Sequence, residues 1–442
     1  MPEARGALAA LSSAHSTYRC SEVMDIYLLL MLSLGLLLTA MLYIIPLFCI
    51  LFLKKQTFGT KDYDTPCKVS ILLPCFNEGP HAYDTIKSIS QSNYPSALLE
   101  IVAVDDHSTD DSWEWIQKAQ RDFSGAVRIS AFRQPVNMGK YAALNRAANV
   151  ARDADIFICI DSDCLFHVDA VRELVAGFTS DKVAAVGGHV RVSNVNENLV
   201  TKAQAAKYFY AYKVMKMFQN YLSNVTCISG CLFAIRRSAF FEIEDDVKTC
   251  NFLGEKFSAG EDRYMTHLLI LKGYETRINL DAICWTEVPA TFRKFFSQQW
   301  RWRRSGTQDY LLTLRTLGRH ARTLRLASTV NLILPETVNY LKLFTFGFAL
   351  ASGGALEWIV LHQVVSYIVF APFLAVVHYW TKRSAPDQVV EGGTLQLLPF
   401  ISAWTLAGAV TCTMMAIFAM DSNSWGTRVP TSKPEEEAAA SN

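Results

Sequence analysis

DIFICIDSDC, residues 155–164, decides the fold: an apolar run ends in two carboxylates one residue apart, Asp161 and Asp163. A run so short, rich in β-branched and aromatic residues and closed by turn formers, reads as a buried strand of a parallel sheet. Working outward, VSILL (69–73), LEIVAVD (99–105) and VRISAF (127–132) have the same character, with helical stretches predicted at 80–92, 110–121 and 139–151 between them. The alternation is that of an α/β nucleotide-binding layout, in which ligands collect at the C-terminal ends of the strands. The acidic residues stand there: the first strand runs into PCFNE, the second into DDHSTDD and the fourth into DSDC.

Each of these signals has a structural reading beside the functional one. Asp161 and Asp163 can point at one hard cation bridging a diphosphate, and they are also ordinary turn formers. Asp105 and Asp106 suit a base or ribose, while Asp106 or Ser108 serves equally well as a helix cap. Asn137, Gly139 and Lys140 open the third helix, where backbone N–H groups and a lysine favour an anion. Further on, VAAVGGHVRV (183–192) reads as a strand, 197–221 as a long amphipathic helix, and 224–237 as two strand-like arms around a turn at Ser229 and Gly230. Glu261 and Asp262 begin an apolar-periodic helix, as caps or with one of them as a general base.

FRKFFSQQWRWRR (292–304) follows. As a helix it places Gln298, Arg301 and Trp302 at i, i+3 and i+4, so an amide, a fixed cation and an indole share one face. Such a trio holds a pyrophosphate and the C–H face of a pyranose together. The flanking phenylalanines, lysine and arginines suit a membrane headgroup layer.

The chain has 442 residues, 51% of them apolar, and a net charge of +1, which argues against a nucleic-acid partner. Its 11 cysteines form no CxxC pair and read as reduced thiols. Residues 1–25 read as a disordered tail and 26–53 as a transmembrane anchor; Lys54, Lys55, Lys61 and Lys68 then place the following domain in the cytosol. On that side the sequon at Asn224 stays unmodified. Apolar segments recur near 327–353, 355–380 and 395–420, the last interrupted by Pro399 and read as interfacial or re-entrant, with Lys382 and Arg383 marking a cytosolic return. Glu336 and Lys342 stand inside the first, either lining a path or paired between helices.

The succession DD, DxD, ED before a helix, and QxxRW on a basic helix between apolar spans resembles the processive membrane-embedded family 2 glycosyltransferases, the group of hyaluronan, chitin and cellulose synthases. The resemblance covers roughly residues 67–430 and is closest to hyaluronan synthases, on VGGHV, CISGC, NFLG (251–254) before GEDR (260–263), QQWRW and WGTR (425–428). It implies a cytosolic GT-A type α/β nucleotide-sugar-binding domain at 54–290, inserted between transmembrane helices. Amphipathic interfacial helices at 291–325 would carry QxxRW, transmembrane and re-entrant helices would occupy 326–420, and a cytosolic WGTR segment with a disordered tail would follow at 421–442. The implied protein is multi-pass in the plasma membrane.

By the same resemblance, Asp105 and Asp106 contact uridine, with Glu78 and Lys140 in the same nucleotide pocket. Asp161 and Asp163 place Mg2+ or Mn2+ on the UDP diphosphate, Asp163 as the direct ligand. Asp262 is the catalytic base, Gln298 and Arg301 hold the diphosphate, Trp302 holds the acceptor sugar, and Ser229 and Gly230 form a priming loop. The implied reaction is inverting transfer from UDP-N-acetylglucosamine, with or without UDP-glucuronic acid, to a growing β-linked polysaccharide. The alternatives are a chitin- or glucan-like synthase or a lipid-linked sugar transferase, of which the latter generally lacks QxxRW. Hyaluronan synthases of the animal type continue with further spans after WGTR, so any channel here is expected to be smaller, or completed by a second copy or a partner.

Overall fold

The computed structural model describes residues 29, 33, 37, 44–50, 67–151, 153–249, 251, 252, 255, 256, 260–353 and 355–418. The tail, most of the anchor and the WGTR segment lie outside them.

The first strands fall where the apolar runs place them: β1 Val69–Cys75, β2 Leu99–Asp105, β3 Arg128–Arg133 and β4 Ile156–Ile160. A short β5 (Leu165–Phe166), then β6 (Val183–Val192), β7 (Leu232–Arg236) and β10 (Glu275–Thr286) complete one eight-stranded sheet. The strands β8 (Asn251–Phe252) and β9 (Glu255–Lys256) pair separately. In the large sheet the order is β3-β2-β1-β4-β7-β6-β10-β5. The β3-β2-β1-β4 half is parallel throughout, whereas β7 runs antiparallel between β4 and β6. All of β1 and β4 is buried, as expected of strands covered on both faces by helices. Because β2, β1 and β4 are neighbours, their C-terminal tips bring Glu78, Asp105, Asp106, Asp161 and Asp163 to one edge.

The helical stretch predicted at 197–221 is a run of Leu199–Tyr210, a π-helical Ala211–Lys216 and Met217–Tyr221. It starts at a capping box in which Asn198 accepts from the Thr201 backbone and Thr201 returns the bond. Only the second arm of 224–237 is a strand. The first is loop, joined to β10 by a single bridge from Asn224 to Thr276. Asn224 is wholly buried, and its side-chain amide donates to Ser328 Oγ at 3.2 Å. The sequon is thus closed by packing, a stronger reason than compartment.

QxxRW lies on the helix Phe292–Thr316, capped by Thr291. Among the described residues, two helical stretches are long and apolar enough to cross a membrane, Trp358–Ser384 and Thr394–Phe418. The segment expected at 327–353 is not one of them. Its main helix, Leu334–Ser352, carries Glu336 in its first turn. Glu336 is engaged by Arg303 of the QxxRW helix, at 3.0 and 2.7 Å, and so takes the interhelical pairing. The side chain of Lys342 lies outside the description. Pro399 does not break its segment. It occupies the first turn of Leu398–Ala403, where a helix has no N–H bond to lose.

Candidate active site

Three loops at the strand tips build the first wall. Asn77, after β1, and His107, after β2, both adopt left-handed backbone, with φ of 57° and 61°. Such conformations are costly for residues with a Cβ and persist where their surroundings fix them. Here the loops bind each other: the Asn77 N–H donates to Ser108 Oγ at 3.0 Å, and Thr109 N–H donates to Asn77 Oδ1 at 2.8 Å.

Asp105 and Asp106 are buried and face inward. Arg133 pairs with Asp105 at 3.0 Å, and the Ser108 hydroxyl donates to it as well. Asp106 accepts from Gln134 at 2.9 Å and from the Met138 and Gly139 N–H groups at 2.8 Å each. One reading is corrected by this. Asp106 caps no helix after β2, because Asp111 occupies that N-cap position. The helix start Lys140–Val150, expected to hold a ligand anion, already has the Asp106 carboxylate on its entering amides. Gly139 makes the approach possible with φ of 93°.

Carboxylates crowd the space beside this wall. Burial first, then Asp163, Asp161 and Asp110, push the Glu78 carboxyl up to about 8. Asp163 is likewise raised, by burial and then by Asp161. Lys140 reaches across, 2.5 Å from Asp161 and 3.3 Å from Glu261. Burial opposes its charge, but Asp161, Glu261 and Asp262 outweigh burial and hold the ammonium well above lysine's usual range. Clustered carboxylate oxygens of this kind suit a hard divalent cation. Among the described residues, no group of three or more His, Cys, Asp or Glu forms a closed metal cage by itself.

Asp262 stands opposite, in the first turn of Glu261–Leu271, with Gly260 rather than a side chain at the cap. Its Oδ2 accepts from Gly230 N–H and its Oδ1 from Arg263 N–H, both at 2.8 Å. The expected turn thus fixes the carboxylate directly. A Cβ on Gly230 would sit 3.0 Å from Lys140 Nζ and 3.4 Å from Asp262 Oδ2, so turn, lysine and carboxylate share one spot. Arg263 continues inward to the buried Asp309 at 3.5 Å, on the QxxRW helix. Gly260 (φ 85°) meets the same helix, where a Cβ would stand 2.0 Å from Ser305 Oγ.

Trp302 keeps 41% of its surface exposed, with Tyr208 at 6.2 Å between ring centroids. The Tyr208 hydroxyl is raised well above its usual range by burial, then by nearby thiols and the carboxylates of Asp163 and Asp161. Trp302 and the acidic pair therefore flank one tyrosine. Gln298 faces Gln299, whose amide donates to Gln298 Oε1 at 3.3 Å, and Arg301 is half-buried on the same turn. Sequence reasoning passed over Tyr208, Tyr212 and Lys207 on the long helix. Their signal was the stretch AKYFYAYK (206–213), which sets four rings between two lysines on one helical run.

With this geometry in place, the comparisons with known proteins can be set beside it. Residues 70–243 match the family described as Glycosyl transferase family 2. Over this stretch, less than half of the chain, the sequence is similar to that family. A hyaluronan synthase of Streptococcus pyogenes is 31% identical over 265 residues, 59% of this chain and 62% of that protein. An N-acetylglucosaminyltransferase of Rhizobium meliloti (strain 1021) is 32% identical over 247 residues, 56% of this chain and 57% of that protein. The matched stretch is thus less than two thirds of either relative's length. In structure the chain is similar to a mannosyltransferase from Pyrobaculum calidifontis, solved in complex with GDP-Man and Mn2+. The TM-score is 0.60 at 18% identity, over 90% of this chain and all of that one. This likeness establishes the GT-A-like α/β fold.

Proposed function

We propose that the chain is an inverting, metal-dependent transferase that takes UDP-sugars, UDP-N-acetylglucosamine with or without UDP-glucuronic acid, and extends a β-linked polysaccharide at a membrane. The observation that carries this reading is the placement of Asp262, fixed by the Gly230 amide beside the Lys140–Asp161 pair. Asp163 and Asp161 would hold Mg2+ or Mn2+, which when bound neutralises charge on the leaving diphosphate. Lys140, released from Asp161 as that charge arrives, turns to the phosphate oxygens. Arg301 and Gln298 add donors on the far side, where negative charge grows as UDP departs. Asp262 accepts the proton of the attacking hydroxyl, and Trp302 supplies the apolar platform on which the acceptor ring lies. Attack from the face opposite the leaving group inverts an α-linked donor to a β-linkage. Asp105, Asp106 and Glu78 form the nucleoside wall, with the two aspartates acting through the backbone they organise. The two long apolar helices, together with the basic helix Phe292–Thr316, favour an integral membrane protein with this domain in the cytosol.

Purified full-length chain in detergent, given each UDP-sugar singly and in pairs with Mg2+ or Mn2+, tests the proposal. UDP release that is lost with a chelator and restored by metal is expected, with a product cut by hyaluronidase or by chitinase. Metal-independent release, or none with any UDP-sugar, overturns it. A lipid-linked acceptor is favoured by one observation, the mainly apolar lining of the cavity described next.

A further inference from the structure

A cavity of about 460 Å³ lies between the long helix at 199–210, the QxxRW helix and the apolar helices beyond it. This is the size of a small-ligand site. Its walls include Tyr210, Phe295, Trp358, Phe370, Phe373 and Trp404, a lining of rings. Two basic side chains also face it, Lys207 and Arg303. Glu336 neutralises Arg303 at 2.7 Å. Lys207 has no such partner: it pairs with no carboxylate among the described residues, and its ammonium donates to the neutral amide oxygen of Gln299. Its nitrogen stands 5.7 Å from the ring centre of Trp302. Lys207 thereby stands between the exposed indole and the cavity, and it is itself an exposed residue. An ammonium has three N–H groups, so the bond to Gln299 leaves donors to spare. Protein packed around it pushes its pKa down to about 8, the mark of a charge held without a counter-ion. Holding a cation in a ring-lined space costs free energy unless an anion arrives.

We propose that Lys207 is a specificity-determining residue that receives an acidic oxygen carried by the acceptor, as the acceptor passes from Trp302 into the ring-lined cavity. The shared chemistry is an oxyanion on an otherwise apolar-faced molecule, either the carboxylate of an acidic sugar or the phosphate of a lipid-linked one. The inference rests on the transferase reading above, because it takes Trp302 as the acceptor platform.

The test reads binding without turnover, by calorimetry on full-length chain in detergent. The probes are a tetrasaccharide alternating N-acetylglucosamine and glucuronic acid, the same compound with its carboxyls reduced to alcohols, and a polyprenyl phosphate. Lys207→Met should raise the Kd of at least one acidic probe by about tenfold or more, the scale of one charge-assisted hydrogen bond. The reduced compound should move less than about threefold. Lys207→Arg should retain most of the preference. Which acidic probe responds identifies the source of the oxyanion. Equal weakening of acidic and reduced probes marks a structural lysine and overturns the proposal, as does indifference of every probe to Lys207→Met. UDP release, measured separately on wild type, decides the transferase reading by itself: release without a Lys207 effect sinks only this inference.

Discussion

At the tips of β1, β2 and β4 carboxylates outnumber cations, and burial followed by neighbouring carboxylates presses Glu78 and Asp163 toward the protonated form. Along the helix Phe292–Thr316 and the helix at 199–210, ammonium, guanidinium and aromatic groups gather instead, and Lys207 is pressed toward its neutral form. On the proposed reading the two regions would meet different partners, a metal-bound diphosphate on one side and an acceptor on the other. They touch at few points. Asp262 is fixed by the turn at Gly230, Gly260 lies against Ser305, and Arg263 reaches Asp309. Those seams are where the comparison is most easily broken.

The largest effect is expected at Asp262. Asp262→Asn keeps the shape and, in either amide orientation, one of the two backbone hydrogen bonds to oxygen, and it loses the proton acceptor. UDP release should fall by about two orders of magnitude or more, while UDP binding stays close to wild type. Near-normal release would move the base elsewhere, with Glu261 the next carboxylate to test.

Gly260→Ala comes second and strikes the seam. Left-handed backbone costs an L-residue roughly 1–2 kcal/mol. The new methyl would in addition start 2.0 Å from Ser305 Oγ. We expect a lowered Tm and at least about tenfold less UDP release, the release being the larger loss because Asp262 moves with its helix. Ser305→Gly in the same chain should recover part of both. If it recovers neither, the two helices are not coupled through this contact. Third, Trp302→Ala should raise the acceptor KM about three- to tenfold, the worth of one ring contact, and Trp302→Phe much less. A matching rise in the donor KM would assign the indole to the nucleotide side instead.

The two regions were not equally legible. Strand tips were read closely, because apolar runs and the residues ending them are local: β1 to β4 begin and end within about two residues of expectation, the usual scale of boundary error. The side-chain directions at those tips were not legible. Nothing local says that Asp106 turns back onto the Met138 and Gly139 amides, a bond across 32 and 33 residues. The pairing of Glu336 with Arg303 is also a matter of helix packing rather than of either helix alone. Lys207 was missed for the opposite reason. Its neighbours are legible as a ring-bearing helix face, but nothing local shows that this lysine donates to Gln299 and stands 5.7 Å from the Trp302 ring centre.

The smallest effect tests how the regions are stacked. Rings run from the sheet to the acceptor side: His189 of β6 lies 5.4 Å from Tyr212, Tyr212 lies 6.4 Å from Tyr208, and Tyr208 lies 6.2 Å from Trp302. His189 is 1% exposed, and its Nδ1 lies 3.2 Å from the Leu280 carbonyl oxygen, a distance that suits N–H donation. Burial first, then Lys213 and Arg191, push its pKa from 6.5 down to about 3. The unfolded chain therefore takes up this proton near pH 6.5 while the folded chain refuses it to about pH 3. Stability from this group is full above pH 6.5 and is lost steadily as the pH falls toward 3. His189→Gln keeps a donor for the Leu280 carbonyl and cannot titrate, so its Tm should fall less steeply than wild type between pH 6.5 and 4, although it starts lower at pH 7.5. Parallel slopes would mean that the base of the ring ladder opens to water and protonates without unfolding. The platform under Trp302 would then be softer than the rigid donor wall it faces.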